Sequence, residues 1–330
     1  MTRLRLTLAC GDYDRTRGLQ EGTVRAEGID LTYLRLPVEE TFFRMMRHRE
    51  FEVAEMSLSS YVVSLQSEHP PFVALPVFTS RMFRHGAVFC HAGSDIRAPQ
   101  DLKGKRIGTP EFQLTAGVWV RGILADHHDV PVDSVTYVTG GQERTGRVEK
   151  TPLDLPDGIV VQRAPNGRTL SAMLAQGEID ALYTPRIPGP FKAGDPRVVR
   201  LFRDVVAAEK EYFAATGIFP IMHVVVIRRD VYERYPWVAQ SLYQAFVLAK
   251  EEASRALYDS SALRFMLPWL NQQLEDARAF LGADFWSYGL DANRSTLDTF
   301  TRYHHEQGLS GRRISPDELF VPESLESAVI

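Results

Sequence analysis

The chain has 330 residues, of which 44% are hydrophobic, 24% charged and 10% aromatic. This composition is that of a globular protein with room for about two domains, so disordered, fibrous and collagen-like classes are excluded. With 38 basic against 42 acidic residues and a net charge of −4, the chain lacks the basic excess typical of nucleic-acid binding. Two cysteines are too few for a disulfide framework, and no apolar run is long enough to cross a bilayer, so no membrane partner is expected.

Residues 4–78 alternate between strand and helix patterns. The sequence predicts strands at 4–9, 29–36, 51–55 and 72–78, and helices at 38–47 and 58–66. Leu4, Leu6 and Leu8 alternate as in a strand, and Arg5 interrupts the apolar stretch that a signal peptide requires. We therefore expect an α/β sheet and a cytoplasmic protein.

A second block of the same kind follows. It predicts strands at 88–90, near 107, at 135–138 and at 179–183, and helices at 116–128 and 170–175. The helix–turn–strand segment 42–56 is similar to the segment 170–183. Two such blocks predict two α/β lobes with a ligand cleft between them, although helix–turn–strand units recur in many α/β proteins.

The last third predicts one buried strand at 224–227, a long amphipathic helix at 236–258 and mostly helical structure at 263–306. Helices without new strands suggest that the chain returns to the first lobe. We expect lobe 1 to comprise residues 1–85 and 218–330, and lobe 2 to comprise residues 86–217.

Several cofactor motifs are absent from the sequence, namely GxGxxG, GxxxxGK[ST], HExxH, GxSxG and the EF-hand loop. Adjacent histidines occur at 127–128 and 304–305. Neighbours on a helix point about 100° apart and do not readily chelate one ion. The sequence therefore predicts neither a cofactor nor a metal.

Polar residues cluster where the predicted strands end, which is where α/β proteins form ligand sites. An acidic protein with arginines at such positions suits a small carboxylate, which arginine binds through two parallel hydrogen bonds. The arginines in question are Arg81, Arg84, Arg121, Arg147 and Arg186. Each of them alone could be a solvated surface charge, and His223 could be a buried structural histidine. Cys10 could be a nucleophile, but nothing in the sequence indicates the lowered pKa that this role requires.

Several segments resemble the 4,5-dihydroxyphthalate decarboxylase family. The most specific are FEVAEMSLSSY at 51–61 and FPIMH at 219–223, and further similar segments lie at 12–16, 83–86, 115–122 and 140–141. The resemblance extends over roughly residues 3–310. It implies a type 2 periplasmic-binding-protein-like fold, which agrees with the two lobes expected above, and a homo-oligomer.

The resemblance also implies cofactor-independent decarboxylation of a small aromatic dicarboxylate, 4,5-dihydroxyphthalate, to protocatechuate and CO2. One alternative is a non-catalytic solute-binding protein of an ABC-type transporter for a small aromatic acid. Another is a different enzyme on this fold, acting on pyrimidine or menaquinone precursors.

For the decarboxylase we expect His223 to be the acid at the ring carbon and Glu55 the base at the substrate hydroxyl, with the reverse assignment open. Asp12 or His85 is expected to orient one of the pair. The substrate carboxylates are expected to meet cations or a helix start, and its ring an aromatic face. The residues predicted for these contacts are Arg81, Arg84, Arg121, Arg186 and Thr115 for the carboxylates, and Phe83 or Trp119 for the ring.

Overall fold

A computed structural model describes residues 3–150, 152 and 154–324. The chain forms two compact units, and both are discontinuous in sequence. Unit 1 comprises the residues up to Arg81, Ile221–Leu297 and the residues from Ile314 onward, whereas unit 2 comprises Met82–Pro220 and Asp298–Arg313.

Strands and helices alternate through most of the chain. The strands are β1 (Leu4–Cys10), β2 (Ile29–Arg35), β3 (Val53–Ser57), β4 (Phe72–Arg81), β5 (Val88–His91), β6 (Arg106–Thr109), β7 (Thr136–Thr139), β8 (Val160–Arg163), β9 (Ala181–Tyr183), β10 (Val198–Arg200) and β11 (Ile221–Arg228). The α-helices are α1 (Arg17–Glu21), α2 (Val38–His48), α3 (Leu58–Ser64), α4 (Thr115–His128), α5 (Leu170–Ala175), α6 (Gly189–Lys192), α7 (Val205–Thr216), α8 (Arg229–Arg234), α9 (Trp237–Leu257), α10 (Leu270–Leu281) and α11 (Arg294–Glu306).

The sheet of unit 1 has the strand order β2-β1-β3-β11-β4. β1 is parallel to β2 and β3, and β11 is antiparallel to both β3 and β4. The predicted strand at 224–227 is therefore confirmed, and it lies in the sheet of the first block. As a result, the carboxyl ends of β1, β3 and β4 and the amino end of β11 lie at one edge, which we call the carboxyl edge of unit 1.

The sheet of unit 2 has the strand order β10-β5-β9-β6-β7-β8. β6, β7, β8 and β9 are parallel, and β5 is antiparallel to β9. Helix α4 follows β6, and its residues 115–124 are all buried. A helix buried on every side needs apolar or small residues all round, and α4 supplies them at every one of these positions except Arg121, whose guanidinium is hydrogen-bonded inside the unit.

Helix α11 covers α4 within unit 2. Trp119 of α4 packs against Phe300 and Tyr303, with ring centroids 5.5 and 5.7 Å apart. A Cβ at Gly122 would lie 2.2 Å from the Tyr303 ring, so only glycine allows this approach. These contacts explain why Asp298–Arg313 belongs to unit 2, although all of 218–330 was expected in the first lobe.

Candidate active site

Two ionisable side chains from neighbouring strands meet at the carboxyl edge of unit 1. Val225 pairs with Glu55 in the antiparallel register of β11 and β3, and His223 comes two residues before Val225. Residues two apart on a strand point to the same face, so His223 is a diagonal neighbour of Glu55. His223 Nδ1 is 2.6 Å from Glu55 Oε1. The structure thus brings together the two residues nominated for acid–base chemistry.

The Glu55 carboxylate is buried and surrounded by hydrogen-bond donors. Its Oε1 also accepts from the hydroxyls of Tyr13 and Thr79, each at 2.8 Å. Its Oε2 accepts from the backbone N–H of Gly11 at 3.0 Å. A Cβ at position 11 would lie 2.7 Å from the Tyr13 ring, so glycine permits this close approach. Both carboxylate oxygens are therefore occupied.

The Cys10 thiol is a further neighbour of Glu55. It is buried, and its Sγ donates a weak hydrogen bond to Glu55 Oε2 at 3.6 Å. Burial and the negative charge of Glu55 raise the pKa of the thiol well above its usual value. A nucleophilic cysteine needs a lowered pKa, so the geometry does not support that role for Cys10.

Glu55 remains ionised although it is buried. Burial by itself would raise the pKa of Glu55, but the charge of His223 and the hydrogen bonds from His223, Gly11 and Tyr13 outweigh it and lower that pKa to about 2. A permanent carboxylate beside Nδ1 holds a proton on that nitrogen. The other ring nitrogen, Nε2, is then the one that can exchange a proton with a ligand.

His223 and Glu55 differ in their access to solvent. The His223 side chain is 18% exposed, whereas that of Glu55 is 0% exposed. On one side the imidazole packs against the ring of Phe42, edge to face, with centroids 4.9 Å apart. A small molecule can therefore reach His223 but not Glu55. This geometry corrects the expected role of Glu55, since a buried, fully hydrogen-bonded carboxylate cannot take a proton from a substrate hydroxyl.

An open groove of about 340 Å³ on unit 1 begins at two of the residues that donate to Glu55. It is lined by Gly11, Asp12, Tyr13, Arg35, Leu36, Pro37 and Val38. Asp12 lies on its rim and pairs with Arg35 at 3.2 Å. The orienting bonds to Glu55 come from Tyr13 and Thr79 instead. Thr79 was not predicted as a site residue. The signal for it is a hydroxyl side chain near the end of β4, a strand that ends at this edge.

Arg81, at the end of β4, has partners inside unit 1. Its guanidinium donates to the Ser287 carbonyl at 2.8 Å and to the Asn293 side chain, and only 7% of the residue is exposed. Burial lowers the pKa of Arg81 to about 10. These contacts connect β4 to the segment before α11, and they account for Arg81 without a ligand.

Three predicted residues lie at the start of unit 2. Phe83 stacks on Phe219 with centroids 4.7 Å apart. Arg84 is buried, which lowers its pKa to about 10. His85 is also buried, against Phe202 and other rings of unit 2. Its pKa is lowered to about 4, mainly by burial and to a smaller extent by the charges of neighbouring histidines. His85 is thus a neutral core histidine of unit 2, not an orienting group for the pair.

The predictions for α4 also need correction. Trp119 is fully buried under α11 and cannot present its face to a substrate. Arg121 is 2% exposed, and it donates to Gln307 at 2.7 Å and to the Phe112 carbonyl at 2.6 Å. Its guanidinium lies 3.9 Å from the centre of the Phe112 ring. Thr115, at the start of the helix, is likewise buried. The helical pattern was predicted correctly, but the cover that α11 provides was not.

Arg186 is the predicted substrate-binding arginine that is exposed in its unit. Its backbone is fixed by Thr184 and Gln142, since Thr184 Oγ1 accepts from the Arg186 N–H at 3.2 Å and Gln142 Nε2 donates to the Arg186 carbonyl at 3.1 Å. The side chain is thus carried on an ordered turn after β9, and its role in substrate binding stays a prediction.

A charged cluster lies after β6 in unit 2. The buried carboxylate of Glu111 accepts from Arg147 Nε at 2.7 Å and from Lys150 Nζ at 2.8 Å. Arg147 belonged to the predicted group of arginines, but its carboxylate partner was not predicted. One buried anion between two cations leaves the cluster with a net positive charge.

Glu149 is a second ionisable residue of this region. Its carboxylate accepts from the Phe112 N–H at 2.6 Å, and among the described residues Oε2 has no hydrogen-bond partner. Burial and the negative charge of Glu111 raise the pKa of Glu149 to about 7, despite the opposing effects of the Phe112 N–H, the Gln113 N–H and Lys150. No sequence pattern distinguished this glutamate from the surface ones.

Neither a cluster of metal ligands nor a membrane-spanning helix occurs in the described part of the chain. In residues 3–150, 152 and 154–324, no group of three or more His, Cys, Asp or Glu side chains is arranged to hold a metal ion. Within the same ranges, no helix combines the length and the hydropathy needed to span a bilayer.

Solved structures identify the fold. The chain is similar to the periplasmic sulfonate-binding protein SsuA from Methylobacillus flagellatus KT, with a TM-score of 0.57 and 14% identity over 98% of this chain and 93% of that one. At this identity the similarity concerns the fold alone. It confirms the type 2 periplasmic-binding-protein-like fold that the sequence resemblance implied.

Sequence comparisons identify the family. No family model matches the chain. A 4,5-dihydroxyphthalate decarboxylase from Comamonas testosteroni is 44% identical over 327 residues, which are 99% of this chain and 99% of that protein. A protein of the same name from Pseudomonas putida is 45% identical over 215 residues, which are 65% of this chain and 83% of that protein. The chain therefore belongs to the 4,5-dihydroxyphthalate decarboxylase family.

Proposed function

We propose that this chain decarboxylates 4,5-dihydroxyphthalate to protocatechuate and CO2. The choice of substrate is supported by the 44% identity to the Comamonas testosteroni protein over 99% of this chain. The chemistry is supported by the contact of His223 with the buried, ionised Glu55, which is the single structural observation that carries the proposal.

The reaction must avoid an aryl carbanion. In 4,5-dihydroxyphthalate each carboxylate is para to a hydroxyl group. Protonation of the ring carbon that bears the carboxylate, with loss of the para hydroxyl proton to solvent, gives a dienone. The C–C bond to the carboxylate then breaks, its electron pair returns to the ring, and the oxygen regains a proton. One proton replaces one CO2, so the scheme calls for acid–base groups and for no electron sink outside the substrate.

His223 is placed to deliver that proton. Glu55 holds a proton on Nδ1, and the partly exposed imidazole can present Nε2–H to a ring carbon. Glu55 acts through His223, because it orients the ring and stabilises the imidazolium. We therefore assign His223 as the acid and Glu55 as a positioning residue rather than as the second proton-transfer group.

The groove on unit 1 offers one cation for a substrate carboxylate. The Arg35 side chain is 59% exposed on the groove rim, where Asp12 is its partner. A hydrogen bond between an arginine and a carboxylate contributes roughly 1.5–3 kcal/mol. An Arg35→Ala variant should accordingly raise KM about 10-fold or more, and unchanged KM would remove Arg35 from the binding site.

The central experiment measures CO2 release from 4,5-dihydroxyphthalate by the wild type and by His223→Gln and Glu55→Gln. General acid catalysis contributes about 10²–10⁴-fold, so His223→Gln should lower kcat by at least about 10²-fold. In D2O the product should carry one deuterium at the carbon that lost CO2. His48→Gln, at the end of α2, is the matched control and should retain the wild-type kcat.

Two results would contradict the proposal. Near-normal turnover by His223→Gln would exclude His223 as the acid. Calorimetric binding of 4,5-dihydroxyphthalate without CO2 release by the wild type would favour a solute-binding protein instead. The homo-oligomer and the cytoplasmic location stay predictions, which light scattering and cell fractionation test directly.

A further inference from the structure

We propose that Arg15 is a positioning residue for the Glu55–His223 pair, an inference that rests on the proposed function. Arg15 lies in the short turn Asp14–Thr16 that follows β1. It does not touch the pair. It contacts instead both residues whose hydroxyl groups donate to Glu55 Oε1.

The first contact is with Thr79. Arg15 Nε donates to the Thr79 carbonyl oxygen at 2.7 Å, and Nη2 donates to the same atom. The Thr79 hydroxyl in turn donates to Glu55 Oε1 at 2.8 Å. A guanidinium held by two bonds to one carbonyl fixes the backbone of β4 at this residue. The direction of the Thr79 hydroxyl follows from that backbone position.

The second contact is with Tyr13. The Arg15 guanidinium lies 4.1 Å from the centre of the Tyr13 ring and 4.3 Å from that of Trp286. Arginine is therefore stacked between two aromatic rings, and one of them carries the other hydroxyl on Glu55 Oε1. Trp286 is itself fixed, since its Nε1 donates to the Phe78 carbonyl at 2.9 Å.

A cavity lies beside this stack. It has a volume of about 200 Å³, and Arg15, Lys250, Leu274 and Trp286 are among the residues that line it. Packing on that side is thus incomplete. The position of Arg15 therefore depends on the Trp286 stack, the Thr79 carbonyl and the carboxylate of Asp14, which is 3.1 Å from Nη1.

Loss of Arg15 should therefore misplace the donors on Glu55 and, through Glu55, the imidazole. Misplacement of a catalytic group by about 1 Å can lower a rate by up to about 10²-fold. Arg15 does not itself line the proposed substrate groove and contacts its lining only at Tyr13, so the effect should appear mainly in kcat, with little change in KM.

The test compares Arg15→Met, Arg15→Lys and Arg17→Met. Arg15→Met keeps an apolar stem but loses the charge and both contacts, and its kcat should fall about 10-fold with KM changed less than about 2-fold. Arg15→Lys keeps a donor for the Thr79 carbonyl but loses the planar stack on the aromatic rings, so its kcat should lie between that of the wild type and that of Arg15→Met. Arg17, two residues away, pairs with Glu21 on the surface, and Arg17→Met should behave as the wild type.

A second measurement does not depend on activity. The proton between His223 Nδ1 and Glu55 should give a low-field proton NMR signal that His223→Gln lacks. That signal should shift or exchange faster in Arg15→Met and stay unchanged in Arg17→Met. A folded Arg15→Met or Arg15→Lys with wild-type kcat and an unchanged signal would overturn the proposal. A changed signal in a chain that releases no CO2 would retain the positioning role and reject the proposed function.

Discussion

Glu55 in unit 1 and Glu149 in unit 2 are both largely buried carboxyl groups, yet their surroundings move their pKa values in opposite directions. Glu55 receives donors on both oxygens and lies beside His223, and its pKa is lowered to about 2. Glu149 has one oxygen without a hydrogen-bond partner among the described residues and lies near the negative Glu111, and its pKa is raised to about 7. Burial does not decide which form is present. The number of donors and the sign of the nearest charge decide it.

The surroundings of His223 in unit 1 and His85 in unit 2 differ as well. His223 has an ionised carboxylate at 2.6 Å, whereas His85 is surrounded by rings and by other histidines. Unit 1 therefore holds an ionised carboxylate beside a partly accessible imidazole, whereas His85 stays neutral in the interior of unit 2. Each of the following predictions removes or alters one side of this comparison.

The largest effect is expected for Glu55→Ala. Loss of one member of a buried pair leaves His223 and the other donors unsatisfied, at a cost of about 3–5 kcal/mol in the free energy of unfolding. Urea unfolding at pH 7 measures this cost. Glu50→Ala, which removes an exposed partner of Arg44, should give no measurable change. Equal unfolding free energies for Glu55→Ala and Glu50→Ala would show that the hydrogen bonds to Glu55 do not stabilise the fold.

The second effect is the pH dependence caused by His85. Its pKa is lowered from 6.5 to about 4, so the unfolded chain binds more protons in this range. The contribution of His85 to the free energy of unfolding is complete above pH 6.5. It falls by about 3 kcal/mol in all as the pH is lowered toward 4. When unfolding is measured at pH 7, 5.5 and 4, the free energy of unfolding should fall less in His85→Phe than in the wild type. An identical slope in the two proteins would contradict the buried neutral state.

A smaller effect is expected for Tyr13→Phe. This variant removes one hydroxyl from Glu55 Oε1, and a hydrogen bond to a charged group contributes about 1.5–3 kcal/mol. Both the unfolding free energy and kcat should fall. Tyr232 donates to Glu323 at 2.7 Å, away from the pair, so Tyr232→Phe is the control that should retain kcat. A Tyr13→Phe enzyme with normal kcat would show that one donor fewer does not misplace His223.

The smallest effect, and one of opposite sign, is expected for Glu149→Gln. Because the folded-state pKa of about 7 exceeds the reference value of 4.5, the Glu149 contribution is present below pH 4.5 and is lost as the pH rises through 7. The shift corresponds to about 3 kcal/mol, which solvent screening reduces because Glu149 is only partly buried. Glutamine cannot ionise, so the variant should gain about 1–2 kcal/mol in unfolding free energy relative to the wild type at pH 8 and nothing at pH 4. Destabilisation at pH 8 would mean that the ionised carboxylate has a partner.

Much of unit 1 could be predicted from the sequence because its signals are local. The alternation of Leu4, Leu6 and Leu8 predicted β1, and the apolar run at 224–227 predicted the centre of β11. Glu55 and His223 were nominated because both lie in the segments that most resemble the family and each was expected at the end of a strand; the structure places them on neighbouring strands of one sheet. Their unequal burial could not be predicted, since it depends on Tyr13 and Thr79 from two other segments.

The errors in unit 2 have a non-local cause. Arg121 and Trp119 looked like ligand-binding residues because they follow a strand in sequence. They are instead buried by Gln307, Phe300 and Tyr303, which come nearly two hundred residues later. Strand β8 at Val160–Arg163 was missed for a different reason, since it is a largely exposed edge strand without an apolar face.

The late arrival of α11 affects how the protein is made on the ribosome. Helix α4 is translated about 180 residues before Tyr303, and synthesis proceeds at about 5–20 residues per second. For roughly 10–40 seconds the nascent chain therefore contains Trp119 and Gly122 without the aromatic rings that cover them. During that interval the exposed surface is a target for chaperones and for aggregation, so translation speed between residues 122 and 303 should influence the yield of folded protein.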